Sequence, residues 1–199
     1  MMASYYQQCL RPSCRWHPIL AHPWHTRRMP RLLIVHHSPT ETMRRLSRAV
    51  VSGAHDEAIT GVEVVELAAL DFATGQADQQ SLLEADGYIL GTTANFGYMS
   101  GALKHMFDST FLKIGGALGD DGAGVEGSSG ATSGRPFGLY LHGRYDATGA
   151  IRSVTSITGA LGWKQAFKIV EPLGVLREED LDQAYELGAT LSALVLESA

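Results

Sequence analysis

Three short stretches of the chain concentrate the groups that could bind or react. The first is His36-His37-Ser38-Pro39-Thr40-Glu41-Thr42-Met43, which carries hydroxyls at Ser38, Thr40 and Thr42. Hydroxyl donors combined with the unpaired N–H groups at a helix start bind phosphate well. Arg44 and Arg45 follow, and they offset the Glu41 carboxylate, which would otherwise repel a phosphate dianion. The same residues also read as a capping box, with Ser38 as cap, Pro39 at the first helical position and Glu41 at the third. Both readings stand on the sequence. The second stretch, Gly91–Gly101 (GTTANFGYMSG), is rich in small and hydroxylated residues. Main chain built from such residues can come close to a ligand. The third, His142-Gly143-Arg144-Tyr145-Asp146, sets an imidazole, a guanidinium and a phenol side by side, with Thr148 as the expected cap of the next helix. No Ser-His-Asp arrangement is forced by the spacing, and no metal site is predicted.

The elements that must position these stretches alternate along the chain. Arg31–His36, Val62–Leu67, Gly87–Gly91, Pro136–His142 and Ala166–Val170 are short apolar runs that read as strands. Between them, Thr40–Ala54, Gln79–Ala85, Ser100–Leu112 and Ala150–Leu161 read as helices, and Glu178–Leu196 closes the chain with another. Leu103, Phe107 and Phe111, for example, share one helical face. Repeated βα units imply a parallel sheet with helices on both faces, and five strands favour the doubly wound order 2-1-3-4-5. Ligands of such sheets bind beyond the carboxyl ends of the strands, where the winding reverses between strands one and three. The three stretches all fall there.

One segment interrupts the alternation. Residues 113–134 (KIGGALGDDGAGVEGSSGATSG) are dominated by Gly, Ser and Ala and are expected to be flexible. A mobile flap near the ligand and a passive surface insertion are equal readings of it.

Composition bounds the function. The 199 residues suit one domain, with the body at residues 29–199. No stretch is apolar for long enough to span a membrane. Residues 1–28 hold four Arg and no acid, so the rest carries twelve Lys and Arg against 21 Asp and Glu, a net −9. An acidic body argues against nucleic acid as a partner. Both cysteines, Cys9 and Cys14, lie in that first segment, so the body needs no disulfide, and a reducing, cytoplasmic setting fits. Residues 1–28 lack apolar periodicity and are expected to be disordered, or to precede a true start at Met29.

The stretch Asp86–Phe111 (DGYILGTTANFGYMSGALKHMFDSTF) resembles the flavodoxin-like NAD(P)H-dependent FMN oxidoreductases, which include the NAD(P)H:quinone reductases of the tryptophan-repressor-binding-protein type. Gly91, Thr92, Phe96, Gly97, Met99, Ser100 and Gly101 match the family's pattern. Thr93 replaces the usual Pro, and Asn95 stands where Arg is frequent. The resemblance implies a flavodoxin-like three-layer fold and bound FMN. It implies that the backbone of Thr93, Ala94, Asn95, Phe96 and Gly97 bonds the flavin ring. It also makes Ser38, Thr40, Thr42 and Met43 the phosphate loop, although Glu41 stands where Gly is usual and Met43 where the last Thr is usual. By the same similarity His142 and Gly143 flank the ring, Tyr145 stacks on it, and His142 or Arg144 stabilises its reduced anion. The implied activity is hydride transfer from NAD(P)H through flavin to a quinone or similar small acceptor, in a homodimer or homotetramer. The alternatives are a flavodoxin-type electron carrier and a module that has lost its flavin.

Overall fold

A run of branched apolar residues with no polar alternation needs cover on both faces. In the computed structural model, which describes residues 28–122 and 130–198, Arg31–His36 forms strand β1, and Leu32, Leu33, Ile34 and Val35 are wholly buried. Helix α1 follows at Glu41–Ala54, strand β2 at Glu63–Ala68, and two short helices at Asp71–Thr74 (α2) and Gln79–Leu83 (α3). Strand β3 is Gly87–Thr93, and helix α4 (Gly101–Thr110) runs into a 3-10 turn at Phe111–Ile114. Strand β4 (Pro136–His142), helix α5 (Thr148–Ala160), strand β5 (Lys164–Gln165) and helix α6 (Glu178–Glu197) complete the order.

The five strands form one parallel sheet in the order β2-β1-β3-β4-β5. This is the expected flavodoxin-like topology. Side chains alternate between the faces. Leu33, Tyr88, Leu90 and Leu139 pack with Leu103, Phe107 and Trp163 on one side. Ile34, Ile89 and Tyr140 pack with Met43, Leu46, Leu187 and Leu191 on the other.

The last strand departs from expectation. Ala166–Val170 is not a regular strand; β5 pairs only at Pro136↔Lys164 and Phe137↔Gln165. The chain then leaves the edge and rejoins β4 at a bridge between Tyr140 and Val170, where Leu141 N–H donates to Val170 C=O at 2.8 Å. An edge strand has a partner on one side only, so it can detach without orphaning a second neighbour. Helix α2 was not anticipated because four residues are too few to show a period. It is held by Asp71, whose carboxylate accepts from Ala68 N–H at 3.0 Å.

The described ends of the 113–134 segment sit at the amino end of the sheet. Thr132, wholly buried, donates to Ile114 C=O at 3.0 Å and accepts from Trp163 Nε1 at 2.9 Å. Trp163 stacks on Tyr88 with 3.9 Å between ring centroids. Arg135 donates to Leu82 C=O, Leu83 C=O and the Tyr88 hydroxyl. These anchors lie at the opposite end from the carboxyl edge, so the flap reading gains no support from them. Residues 123–129 lie outside the described residues, as do residues 1–27 with Cys9 and Cys14; Arg28 bonds Asp86 at 2.9 Å and Glu84 C=O at 2.8 Å.

Helices α1 and α6 cross backbone to backbone. A Cβ on Gly53 would fall 1.9 Å from Tyr185 C=O, and one on Gly188 would fall 2.0 Å from Val50 C=O. At an exposed helical site, Gly→Ala would add about 1 kcal/mol of stability. Here the overlap is with backbone and must push the helices apart. Gly53→Ala is therefore expected to cost about 1–3 kcal/mol, read as a lower urea midpoint at unchanged slope.

Candidate functional site

The carboxyl ends of β1, β3 and β4 lie level, with His36 opposite Gly91 and Thr93 opposite His142. The three loops that follow therefore meet at one edge. The first does not form the expected capping box. Thr40, with φ −104 and ψ 157, is the cap, and its Oγ1 accepts from Met43 N–H at 3.2 Å. Two residues nearer the strand, Ser38 lies too early to reach the helix. Its hydroxyl instead lies 2.9 Å from His36 Nδ1 and 2.7 Å from Ser47 Oγ. Glu41 is turned onto Arg48 at 2.7 Å and Arg44 at 3.0 Å. Bonds to Arg48 and Arg44 hold the Glu41 carboxyl below the usual carboxylate range. Thr42 is half-buried in the first turn of α1, and the Met43 side chain is wholly buried in the core.

The second loop begins on paired hydroxyls. Thr92 Oγ1 accepts from Ser100 N–H at 2.9 Å, and Ser100 caps α4 by accepting from Leu103 N–H at 3.2 Å. Between them the chain turns tightly, closed by Tyr98 N–H donating to Asn95 C=O at 3.0 Å. Phe96 and Gly97 occupy the tip with φ of +51 and +75. Such a φ favours glycine, and a phenylalanine held there is strained. The Phe96 ring is fully exposed, so no packing compensates. Thr93 is buried, and its Oγ1 has no hydrogen-bond partner. A buried hydroxyl without a partner costs about 1–3 kcal/mol; the Ser192 hydroxyl of α6 is likewise partnerless, but Thr93 also lines the cleft at this edge.

The third loop is tied to the chain after β5. His142 Nε2 donates to Gly174 C=O at 2.8 Å, and Gly174 N–H donates to Gly143 C=O at 2.9 Å. Arg144 Nε donates to the Tyr145 hydroxyl at 2.8 Å, and the Tyr145 ring is largely exposed. Thr148 is not the cap of α5. It is the first helical residue, and Asp146 accepts from its N–H at 3.1 Å and its hydroxyl at 2.7 Å. Those bonds from Thr148 keep the Asp146 carboxyl below its usual range.

Thr40, Thr93, Ala94, Asn95, Phe96, His142, Gly143 and Arg144 together line a cleft of about 300 Å³. Most of the expected binding residues thus converge. Ser38, Thr42, Met43 and Gly97 do not line it; Ser38 faces the other flank of its loop. There a larger cleft of about 750 Å³ opens between α1 and β2, and His36, Ser47 and Glu66 line it with Ser38. Sequence reasoning placed His36 in the first loop but missed Ser47 and Glu66. The available signal was Glu66, a carboxylate within a strand run, in the same register as Ile34 and so diagonal to His36. Among the described residues, no three His, Cys, Asp or Glu side chains converge as metal ligands, and no helix is long and apolar enough to cross a membrane.

The class that fold and edge geometry define is the flavodoxin-like α/β proteins. Solved structures of similar fold include a WrbA-like flavodoxin from Agrobacterium tumefaciens, at TM-score 0.61 and 16% identity over 85% of this chain and 99% of that one. An archaeal flavodoxin matches at TM-score 0.63 and 14% identity, over 83% and 98%. An azoreductase from Bacillus anthracis matches at TM-score 0.57 and 16% identity, over 85% and 100%. No family model matches the chain, and neither does any curated protein sequence.

Replacing Phe96 by Gly removes the strained φ and sacrifices no buried surface. It is expected to raise stability by up to about 1 kcal/mol, measured as a rise in thermal midpoint of ligand-free protein.

Proposed function

We propose that the chain binds FMN at the carboxyl edge and acts as an NAD(P)H-dependent oxidoreductase with a quinone or similar small acceptor. The observation that carries the reading is the partnerless Thr93 hydroxyl, buried in the wall of the cleft at the switch between β1 and β3. The cradle suits a flat heterocycle edged with donors and acceptors: the turn tip from Asn95 to Gly97 offers main chain, and Thr93 offers a hydroxyl. Thr40, which caps α1, faces the same cleft and would take the phosphate, with its hydroxyl and N–H groups at the helix start as donors. Bound FMN would supply the redox chemistry, accepting hydride from NAD(P)H and delivering it onward. The protein supplies orientation and charge. Arg144 on the cleft wall favours negative charge on a reduced ring, and His142, fixed by Gly174, holds that wall in place. Exposed Phe96 and Tyr145 at the rim are suited to cover a ring face, and with Val175 to meet a second subunit in a homodimer or homotetramer. A cytoplasmic setting belongs to the same reading.

One observation favours the reading in which flavin binding is weakened: the loop presents Glu41, and the Ser38 hydroxyl points away from the cleft. Calorimetric titration of the full chain with FMN decides between them, and bleaching of the loaded protein by NADH or NADPH separates a reductase from an electron carrier. Thr93→Val should weaken FMN binding about 10-fold while raising the stability of ligand-free protein by about 1 kcal/mol, since it deletes an unsatisfied hydroxyl. Glu41→Gly should tighten FMN binding about 10-fold by removing a carboxylate from the phosphate's surroundings. Absence of any heat with FMN in both the parent and the Glu41→Gly protein would end the flavin reading.

A further inference from the structure

The 750 Å³ cleft between α1 and β2 is independent of the flavin reading. We infer that it is a second reactive site, in which Ser38 is a nucleophile, His36 its base and Glu66 the group that orients the base, and that it hydrolyses small carboxylic esters. The distances join these three side chains from different parts of the sequence. Ser38 Oγ lies 2.9 Å from His36 Nδ1, and His36 Nε2 lies 2.8 Å from Glu66 Oε1. A carboxylate accepts only, so His36 carries its proton on Nε2 and leaves Nδ1 free to accept from Ser38.

The rest of the network agrees in direction. Ser38 Oγ is 2.7 Å from Ser47 Oγ, which is 2.8 Å from the Tyr140 hydroxyl. Tyr140 is wholly buried, and burial raises its pKa, so it remains a donor. Protons then run from Tyr140 to Ser47, from Ser47 to Ser38 and from Ser38 to His36. Ser47 and Ser38 each donate once and accept once, and Tyr140 donates at the head of the chain. A merely tethering Ser–Ser contact would not require a terminal base backed by a carboxylate.

The surroundings define the substrate class. The His36 side chain is 15% exposed and that of its partner Glu66 48%, so the base is largely covered while the orienting carboxylate meets solvent, and Ser38 lines the cleft. Val51 and Leu70 give the cleft an apolar wall for an acyl chain, and Arg44 and Arg48, both bonded to Glu41, line it beside Ser38. In the reaction, Ser38 Oγ bonds to the ester carbonyl carbon and its proton passes to His36 Nδ1. The carbon–alkoxy bond breaks, and the alcohol leaves with that proton. Water then attacks the acyl-serine, gives a proton to His36, and releases the carboxylic acid as Ser38 regains its proton.

The test is hydrolysis of 4-nitrophenyl butyrate by the full chain, with labelling by phenylmethylsulfonyl fluoride read by peptide mass spectrometry. The sulfonyl group should appear on Ser38 with loss of fluoride. Ser38→Ala and His36→Gln should each lower kcat at least about 100-fold. Glu66→Gln should lower kcat about 10-fold or more with KM unchanged, as a positioning residue does. No adduct, an adduct elsewhere, or equal turnover in the parent and the His36→Gln protein overturns the site. Labelling of the parent chain needs no variant to fold, so it decides even if Ser38→Ala is unstable. FMN titration of the same preparation keeps the two sites apart: ester turnover without flavin binding removes only the flavin reading, and flavin binding without turnover or adduct removes only this one.

Discussion

The carboxyl edge depends on one constraint: β1 is hydrogen-bonded on both sides, to β2 and to β3, while the chain can leave its end in only one direction. Right-handed crossovers carry the chain after β1 to the face shared by α1 and α6, and after β3 to the face shared by α4 and α5. Two loops that start side by side must therefore diverge. The crevice between them is a product of topology, and it exists before any side chain is chosen. Residue identity then decides what the crevice holds, which is why Thr93 and the tip at Phe96 bear so much of the functional argument.

The first loop shows how one short connection serves two surfaces. Thr40 faces β3 and β4, whereas Ser38 faces β2. Pro39 between them fixes the direction of the chain and has no N–H to satisfy. Because Thr40 takes the capping role, Ser38 is released from it and joins the strand-end network. Glu41 at the helix start favours the helix dipole, and its two Arg partners hold the carboxylate against the helix without removing its charge from the loop.

The fold was legible in the sequence because its signals are local and repeated. Apolar runs such as Leu32–Val35 and helical spacing such as Leu103-Phe107 each name an element, and their alternation names the sheet order. The edge of the sheet was less legible: Ala166–Val170 has strand composition, but only tertiary pairing determines where an edge strand detaches. The candidate cleft was legible in its backbone, through the Phe96-Gly97 pair, and in its neighbours at His142–Arg144. The orientation of hydroxyls was not. Whether Ser38 or Thr40 caps depends on a shift of two residues, which no pattern encodes. The Glu66–His36–Ser38 contacts need the register between β1 and β2, and register is long-range information.

The glycine-mediated crossing of α1 and α6 has a kinetic meaning. It brings together helices spanning 41–54 and 178–197, among the most distant partners in the described chain. Contacts of such wide sequence separation are made only after a large loop has been closed, and they slow the search for the native state. On a ribosome, β1 and α1 emerge early but wait for nearly the whole chain before that side of the sheet is sealed. Until then Ile34, Ile89 and Tyr140 lack the cover of α6. That interval is when a nascent chain of this topology is most exposed to association with others of its kind.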